Sequence, residues 1–124
     1  MNSNVMKWIE LKSEDQLDQI REESNTNPVL IFKHSRSCSI SRAALDRLER
    51  NWKEDEMDNV KPYFLDLLTY RQTSKRIADQ FDVEHESPQV LMIDKGQSVF
   101  DRSHFDIDYS QILKAYKSQK LRSA

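Results

Sequence analysis

The chain has 124 residues, 32% of them charged, and a formal net charge of -2. That length buries a sufficient core without a metal or disulfide staple, the interspersed charges predict a solvated surface rather than a nucleic-acid face, and no apolar run is long enough to span a bilayer. One cysteine and one glycine exclude an internal disulfide, paired-cysteine zinc spacings and glycine-rich phosphate loops.

A single domain over residues 1–124 is the simplest organisation. Met1-Asn2-Ser3-Asn4 lacks the basic-then-apolar order of a signal peptide, so a cytoplasmic, reducing location is expected. Trp8-Ile9-Glu10-Leu11 is a short strand candidate. Ser13-Glu14-Asp15-Gln16 has the form of a capping box, with the Ser13 hydroxyl accepting from the amide three residues on and Gln16 reaching back. Leu17 and Ile20 then give a helix one apolar face to about Glu23. The turn formers Ser24-Asn25-Thr26-Asn27-Pro28 end it.

Val29-Leu30-Ile31-Phe32 is a continuous apolar run. It predicts a strand buried on both faces, in the middle of a sheet with helices on each side. After a tight turn a helix starts at Cys38, with Ile40, Ala44, Leu45, Leu48 and Trp52 at helical spacing. Arg42, Asp46, Arg47, Glu49 and Arg50 form its polar face. Lys53 to Asn59 reads as a charged linker. Its acidic cluster, Glu54-Asp55-Glu56-Asp58, lacks the glycine and alternation of a calcium loop and reads as a solvated loop, so no metal site is expected.

Val60 to Leu68 is the next strand, with Pro62 near its start, where a missing donor is tolerated. Thr69 to Phe81 looks helical, with Ile77, Ala78 and Phe81 inward. Gln89-Val90-Leu91-Met92-Ile93 is a strand, Asp94-Lys95-Gly96-Gln97 a hairpin turn in which glycine supplies positive φ, and Ser98 to Arg102 the antiparallel return. Asp108-Tyr109-Ser110-Gln111 caps a last helix with Tyr109, Ile112, Leu113, Tyr116 and Leu121 on one face. Lys117, Lys120 and Arg122 near its end suit the helix dipole. Trp8, Trp52, Tyr63 and the methionines read as core. The order βαβαβαββα is that of an α/β thioredoxin-like fold, a mixed central sheet flanked by helices.

Cys38 stands at the carboxyl end of a strand and the amino end of a helix. There, unpaired amides and the dipole stabilise a thiolate, and such settings lower a thiol pKa to roughly 3.5–7.5. Lys33, His34, Arg36 and Arg42 are close enough in sequence to add to this. Ser41, three residues on, has a hydroxyl and an amide placed to donate to the sulfur. A lone cysteine also fits as a small buried hydrophobe; the polar neighbours Arg36, Ser37 and Ser39 favour the nucleophile.

Ser87-Pro88 directly precedes a core strand, where proline offers no amide and restricts its neighbour. Most such bonds are trans, so an ordinary turn competes. The strand–Cys–helix upstream and the hairpin downstream favour cis, which would aim the backbone of Ser87 at the thiol. His104, just before the last helix, is a substrate-side candidate or else a surface histidine. His34 is near the site but by strand parity is expected to point into or across the sheet, with a catalytic role as the alternative. His85 reads as structural or solvated. Thr69, Arg71 and Thr73 read as a solvated helix start, with binding of a thiol's carboxylates as the alternative.

Ser37-Cys38-Ser39-Ile40-Ser41 resembles the Thr-Cys-Pro-Ile-Ser motif of the monothiol bacilliredoxins, the bacillithiol-linked thioredoxin-like family. His85-Glu86-Ser87-Pro88-Gln89 and Ser103-His104 with Ile107 are similar to that family's later signatures. The resemblance runs from Trp8 to the last helix. It implies a thiol-disulfide oxidoreductase of the cytoplasm and of stress response, which removes bacillithiol from protein mixed disulfides. It puts the nucleophile at Cys38 and the fold's cis-proline at Pro88. Partners would then be bacillithiolated proteins, bacillithiol as co-substrate and another redoxin, with no tightly bound cofactor, nucleic acid or membrane. The motif departs at Ser37 and Ser39, where the family has threonine and proline, which bears on rate and redox poise. Two other readings stand beside this one. One is a glutaredoxin-like protein using glutathione or an iron–sulfur cluster, although cluster-binding relatives carry glycine-rich surroundings that are absent here. The other is a non-catalytic binding or stress protein.

Overall fold

The computed structural model describes residues 6–57 and 59–123. Met1–Asn4 and the Asp58 member of the acidic cluster lie outside them. The elements follow as β1 (Ile9–Glu10), α1 (Asp15–Glu23), β2 (Val29–His34), α2 (Ser39–Asn51), β3 (Lys61–Asp66), α3 (Arg71–Phe81), β4 (Gln89–Asp94), β5 (Gln97–Ser103), a 3-10 turn (His104–Asp106) and α4 (Tyr109–Ser123). This is the order expected from the sequence.

The five strands lie in the order β1-β3-β2-β4-β5. β1 and β2 run parallel to β3, and β4 runs antiparallel to both β2 and β5. β2 is therefore central, and all six of its residues are buried, as its unbroken apolar run requires. Alternation along β2 divides the core. Leu30 and Phe32 join Ala44, Leu48 and Trp52 of the α2 side and Ile112 and Tyr116 of α4. Val29 and Ile31 join Leu17 and Ile20 of α1 and Ile77 and Phe81 of α3.

The hairpin turns at Lys95 and Gly96, both at positive φ (53° and 77°). This is the geometry that lets a two-residue loop match strand twist. Between Met92 and Ile93 the β4–β5 register slips: Met92 faces Phe100 and Ile93 faces Ser98, so Val99 is an extra residue. Ser24, just past α1, ties the hairpin to that helix. Its carbonyl accepts from Lys95 N (2.9 Å), its hydroxyl accepts from Gly96 N (2.8 Å) and donates to Arg21 O (2.7 Å). Ser24 is fully buried. Ser24→Ala strands the Gly96 amide, and a loss of about 1–3 kcal/mol is expected in denaturant unfolding; no loss would mean that water replaces the hydroxyl.

Three expectations need correction. The Ser13 hydroxyl does not cap α1, whose N-cap is Glu14 without a side-chain bond. Only the reach-back half of the box forms, Gln16 Oε1 accepting from Lys12 N and Ser13 N (2.6 and 3.1 Å). Leu121 is not on the buried face of α4 but 78% exposed, because the helical period runs on past the sheet that would cover it. The stretch before β3 is not merely a charged linker: Met57 is fully buried in the α2–α4 core, and Glu54 and Glu56 accept from Trp52 Nε1 (3.0 Å) and Tyr109 Oη (2.7 Å).

Candidate active site

The strand registers bring one end of the sheet together. His34 ends β2 opposite Asp66, which ends β3. Gln89 begins β4 opposite Lys33 on one side and opposite Ser103 on the other. The loops carrying Cys38, Ser87-Pro88 and His104 therefore all leave from this end, where irregular segments are free to carry chemistry on a rigid frame.

Cys38 is the N-cap of α2, with an extended backbone (φ -103°, ψ 122°), a free thiol and intermediate exposure. Its amide donates to Ser35 O (3.0 Å), closing the tight turn, and its carbonyl accepts from Arg42 N (3.0 Å), opening the helix. The thiol thus sits where the first helical amides are unpaired and the dipole is positive.

Ser41, the third residue of α2, is fully buried, and its hydroxyl already has two partners. It accepts from Ser35 N at 3.0 Å and lies 2.7 Å from His34 Nδ1. Sequence reasoning assigned this hydroxyl to the sulfur and missed the imidazole. His34 lies on the α2 face of β2, tilted against the rings of Phe32 and Phe64 (centroids 6.1 and 5.3 Å). Burial holds its pKa below the usual imidazole value, a loss that Asp66 and Glu49 partly offset and Arg42 and Arg36 reinforce.

The basic neighbours are not free to serve the thiol as the sequence suggested. Arg36 pairs with Asp66 Oδ2, which also accepts from Thr69 Oγ1 at 2.8 Å, so Thr69 belongs to this cluster. Burial pushes the Asp66 carboxyl up, yet the Thr69 hydroxyl, Arg36 and the amides of Leu68 and Thr69 hold it below its usual value. Arg42 Nη1 donates to Arg36 O at 2.9 Å, bracing the turn before Cys38. Lys33 points away, to the α3 face. It is fully buried, donates to Ser74 O at 3.2 Å and lies 3.3 Å from His85 Nδ1, which is also 3.3 Å from Ser74 Oγ. Burial lowers its pKa to about 8. Thr73 is buried in the first turn of α3 and Arg71 exposed at its start.

The Ser87–Pro88 peptide is cis, as expected. Pro88 is buried and its carbonyl accepts from His104 N at 3.0 Å, so Pro88 and His104 meet directly. His104 adopts φ 54° and holds its exposed ring 3.4 Å from Glu86. Ser87 Oγ is buried without a partner, as is Gln89 Oε1 two residues on. Among the described residues no group of three or more histidine, cysteine or acidic side chains is arranged to hold a metal, and no helix is long and apolar enough to cross a membrane.

Comparison with known proteins agrees with this fold. The family model described as "Monothiol bacilliredoxin BrxC" matches residues 9–112. A solved structure described as a proposed oxidoreductase with a thioredoxin fold is 36% identical, with a TM-score of 0.74 over 86% of this chain and 91% of the other. The thioredoxin of Malassezia sympodialis superposes with a TM-score of 0.70 at 17% identity, over 91% of this chain and 90% of its own. Thioredoxin f of spinach chloroplast (long form) does so at 0.69 and 17%, over 96% and 91%. These last two share the fold.

Proposed function

The chain belongs to the BrxC family of monothiol bacilliredoxins, and on that premise we propose that it removes bacillithiol from mixed disulfides on proteins through Cys38. Family membership carries a redox role. The observation that supports the finer reading is the placement of the one thiol at the N-cap of α2, with no second cysteine in the chain.

Cys38 thiolate attacks the bacillithiol sulfur of the mixed disulfide. The disulfide breaks, the client sulfur leaves as a thiolate that takes a proton from solvent, and a Cys38–bacillithiol disulfide forms. Ser41 stands three residues on and has no sulfur to resolve it. A second thiolate, from free bacillithiol or another redoxin, then attacks the bacillithiol sulfur and returns Cys38. Thiolate fraction, leaving-group acidity and access set the rate of both steps. In this reading bacillithiol is a co-substrate rather than a resident cofactor, and the setting is the reducing cytoplasm. The backbone at Ser87-Pro88 lines the client-facing edge, and His104, bonded to Pro88, flanks it as a substrate-side contact. Ser41 acts on the sulfur through the first turn of α2.

Mass spectrometry of Cys38 after incubation with a bacillithiolated protein tests this. Cys38 is expected to gain the bacillithiol moiety alone, and Cys38→Ser to gain nothing. Transfer of glutathione from a glutathionylated protein, without transfer of bacillithiol, would point to glutaredoxin-like chemistry. Transfer of neither would reduce the chain to a binding module.

A further inference from the structure

We propose that Lys33 is a positioning residue for the client-facing edge of the site: from the central strand its ammonium holds His85, and through His85 it fixes the loop that carries Ser87 and Pro88. The proposal rests on that edge receiving the mixed disulfide and goes beyond that reading by naming what keeps the edge in place.

The loop has little backbone support of its own. α3 ends at Phe81, and the Val83 amide still donates back to Ala78 O at 3.1 Å. From Glu84 to Ser87 no amide donates to a backbone carbonyl among the described residues. Backbone pairing resumes where Pro88 O accepts from His104 N and where β4 begins at Gln89. Side chains bridge the gap. Gln89 Nε2 donates to Glu84 O at 2.9 Å. Glu86 meets the exposed ring of His104 at 3.4 Å. His85 Nδ1 lies 3.3 Å from Lys33 Nζ and 3.3 Å from Ser74 Oγ.

The tie to Lys33 is the one that reaches the central strand. Lys33 and Gln89 stand opposite each other in the β2–β4 ladder, so their side chains leave the sheet on one face. They take hold of consecutive loop residues, His85 and Glu84. Lys33 Nζ also donates to Ser74 O at 3.2 Å, in the first half of α3. Sheet, helix and loop thus meet at a single ammonium that is fully buried.

An ammonium gives this contact a direction. It has three N–H donors and no acceptor, so the bond to His85 has one sense: Nδ1 accepts, and the ring proton sits on Nε2. Burial, then the Lys33 charge, hold the His85 pKa below the usual imidazole value against the opposing pull of Glu86, which keeps the ring neutral and able to accept. The Ser74 hydroxyl can donate or accept and imposes no such choice. A charge-assisted bond is about twice as strong as a neutral one, and the burial that makes the charge costly also strengthens its hydrogen bonds.

Lys33→Met removes the donor and keeps an unbranched side chain. In the unliganded variant at pH 7, backbone order parameters of residues 84–87 are expected to fall from about 0.85 to about 0.6 or less, while those of β2 and β4 stay unchanged and resistance to urea rises. A residue that only filled space would move loop order and global stability in the same direction; that result, or an unchanged loop, overturns the proposal. His85→Leu, at an exposed position, is expected to loosen the loop equally, and Lys33→Met to add nothing in that background; a full additional effect overturns the route through His85. In the wild type, nitrogen NMR is expected to show His85 with Nδ1 unprotonated and Nε2 protonated, and a protonated Nδ1 overturns the proposal without any substitution. With a mixed disulfide that Cys38 accepts, Lys33→Met is expected to raise KM roughly five- to tenfold with kcat little changed; a loosened loop with unchanged KM overturns the role at the client edge. The order parameters and the ring tautomer use no thiol, so failure of bacillithiol transfer and failure of this hold are read separately.

Discussion

Lys33→Met is expected to stabilise the protein at pH 7 by about 1–3 kcal/mol and to abolish a rise in stability that the wild type shows between pH 8 and 10. Lys33 is fully buried on β2, the middle strand of the sheet, and burial takes its pKa from the usual 10.5 to about 8. At pH 7 both folded and unfolded chains carry the charge, so the folded state bears the full desolvation cost. Above pH 8 the folded chain sheds the proton while the unfolded chain keeps it to about 10.5. Unfolding then takes up a proton, and stability climbs with pH. At about 1.4 kcal/mol per unit, the climb totals about 3 kcal/mol. It is cut short from about pH 10, because burial, followed by bonds to Glu23 and Glu56, raises the Tyr63 and Tyr109 hydroxyls, and the unfolded chain loses those protons first. Urea unfolding at pH 7, 8, 9 and 10 checks the curve in both proteins. A methionine variant weaker than wild type by more than about 1 kcal/mol would mean that the bonds to Ser74 and His85 outweigh desolvation.

Phe32→Ala is expected to cost about 3–5 kcal/mol, a large part of a usual total of about 5–15 kcal/mol. Phe32 is fully buried and shares a cluster of four rings with Trp8, His34 and Phe64. Trp8 meets it edge-on at 5.9 Å, Phe64 stacks parallel at 6.4 Å, and His34 leans on it at 6.1 Å. Because β2 is flanked by β3 and β4 along its length, the backbone cannot move in to fill the space. A loss under about 2 kcal/mol in the same unfolding measurement would show that Trp8 and Phe64 collapse into it. Trp8 is only partly buried and tied by its indole N–H to Glu49 Oε2 at 2.8 Å, which argues against such movement.

Most of the frame was legible from local chemistry. The Val29–Phe32 run announced a central strand, the spacing from Ile40 to Trp52 a helix on the sheet, and Gly96 a tight hairpin. Cys38 was legible as a helix start because β2 and α2 both are. What escaped depends on register. The strand expected from Val29 to Phe32 continues through Lys33 and His34, since a charged residue in such a run normally signals its end. Lys33 stays inside because Ser74 and His85, 41 and 52 residues on, supply polar partners that no local pattern announces. The face that His34 takes follows from the pairing of β2 with β3; without that pairing, the link to Ser41 could not be drawn. Arg36 reads locally as help for the thiol, but Asp66, 30 residues away, takes its charge.

The extra Val99 in β5 has a consequence for how molecules meet one another. A sheet open at both sides invites a second chain to extend its ladder. β1, only two residues long, gives such a chain almost nothing to bind. β5 is long enough, but the bulge at Val99 bends and twists it, and Asp101 and Arg102 follow at once in exposed positions. The protein's own sheet edges thus resist strand-by-strand aggregation, including when many copies crowd together.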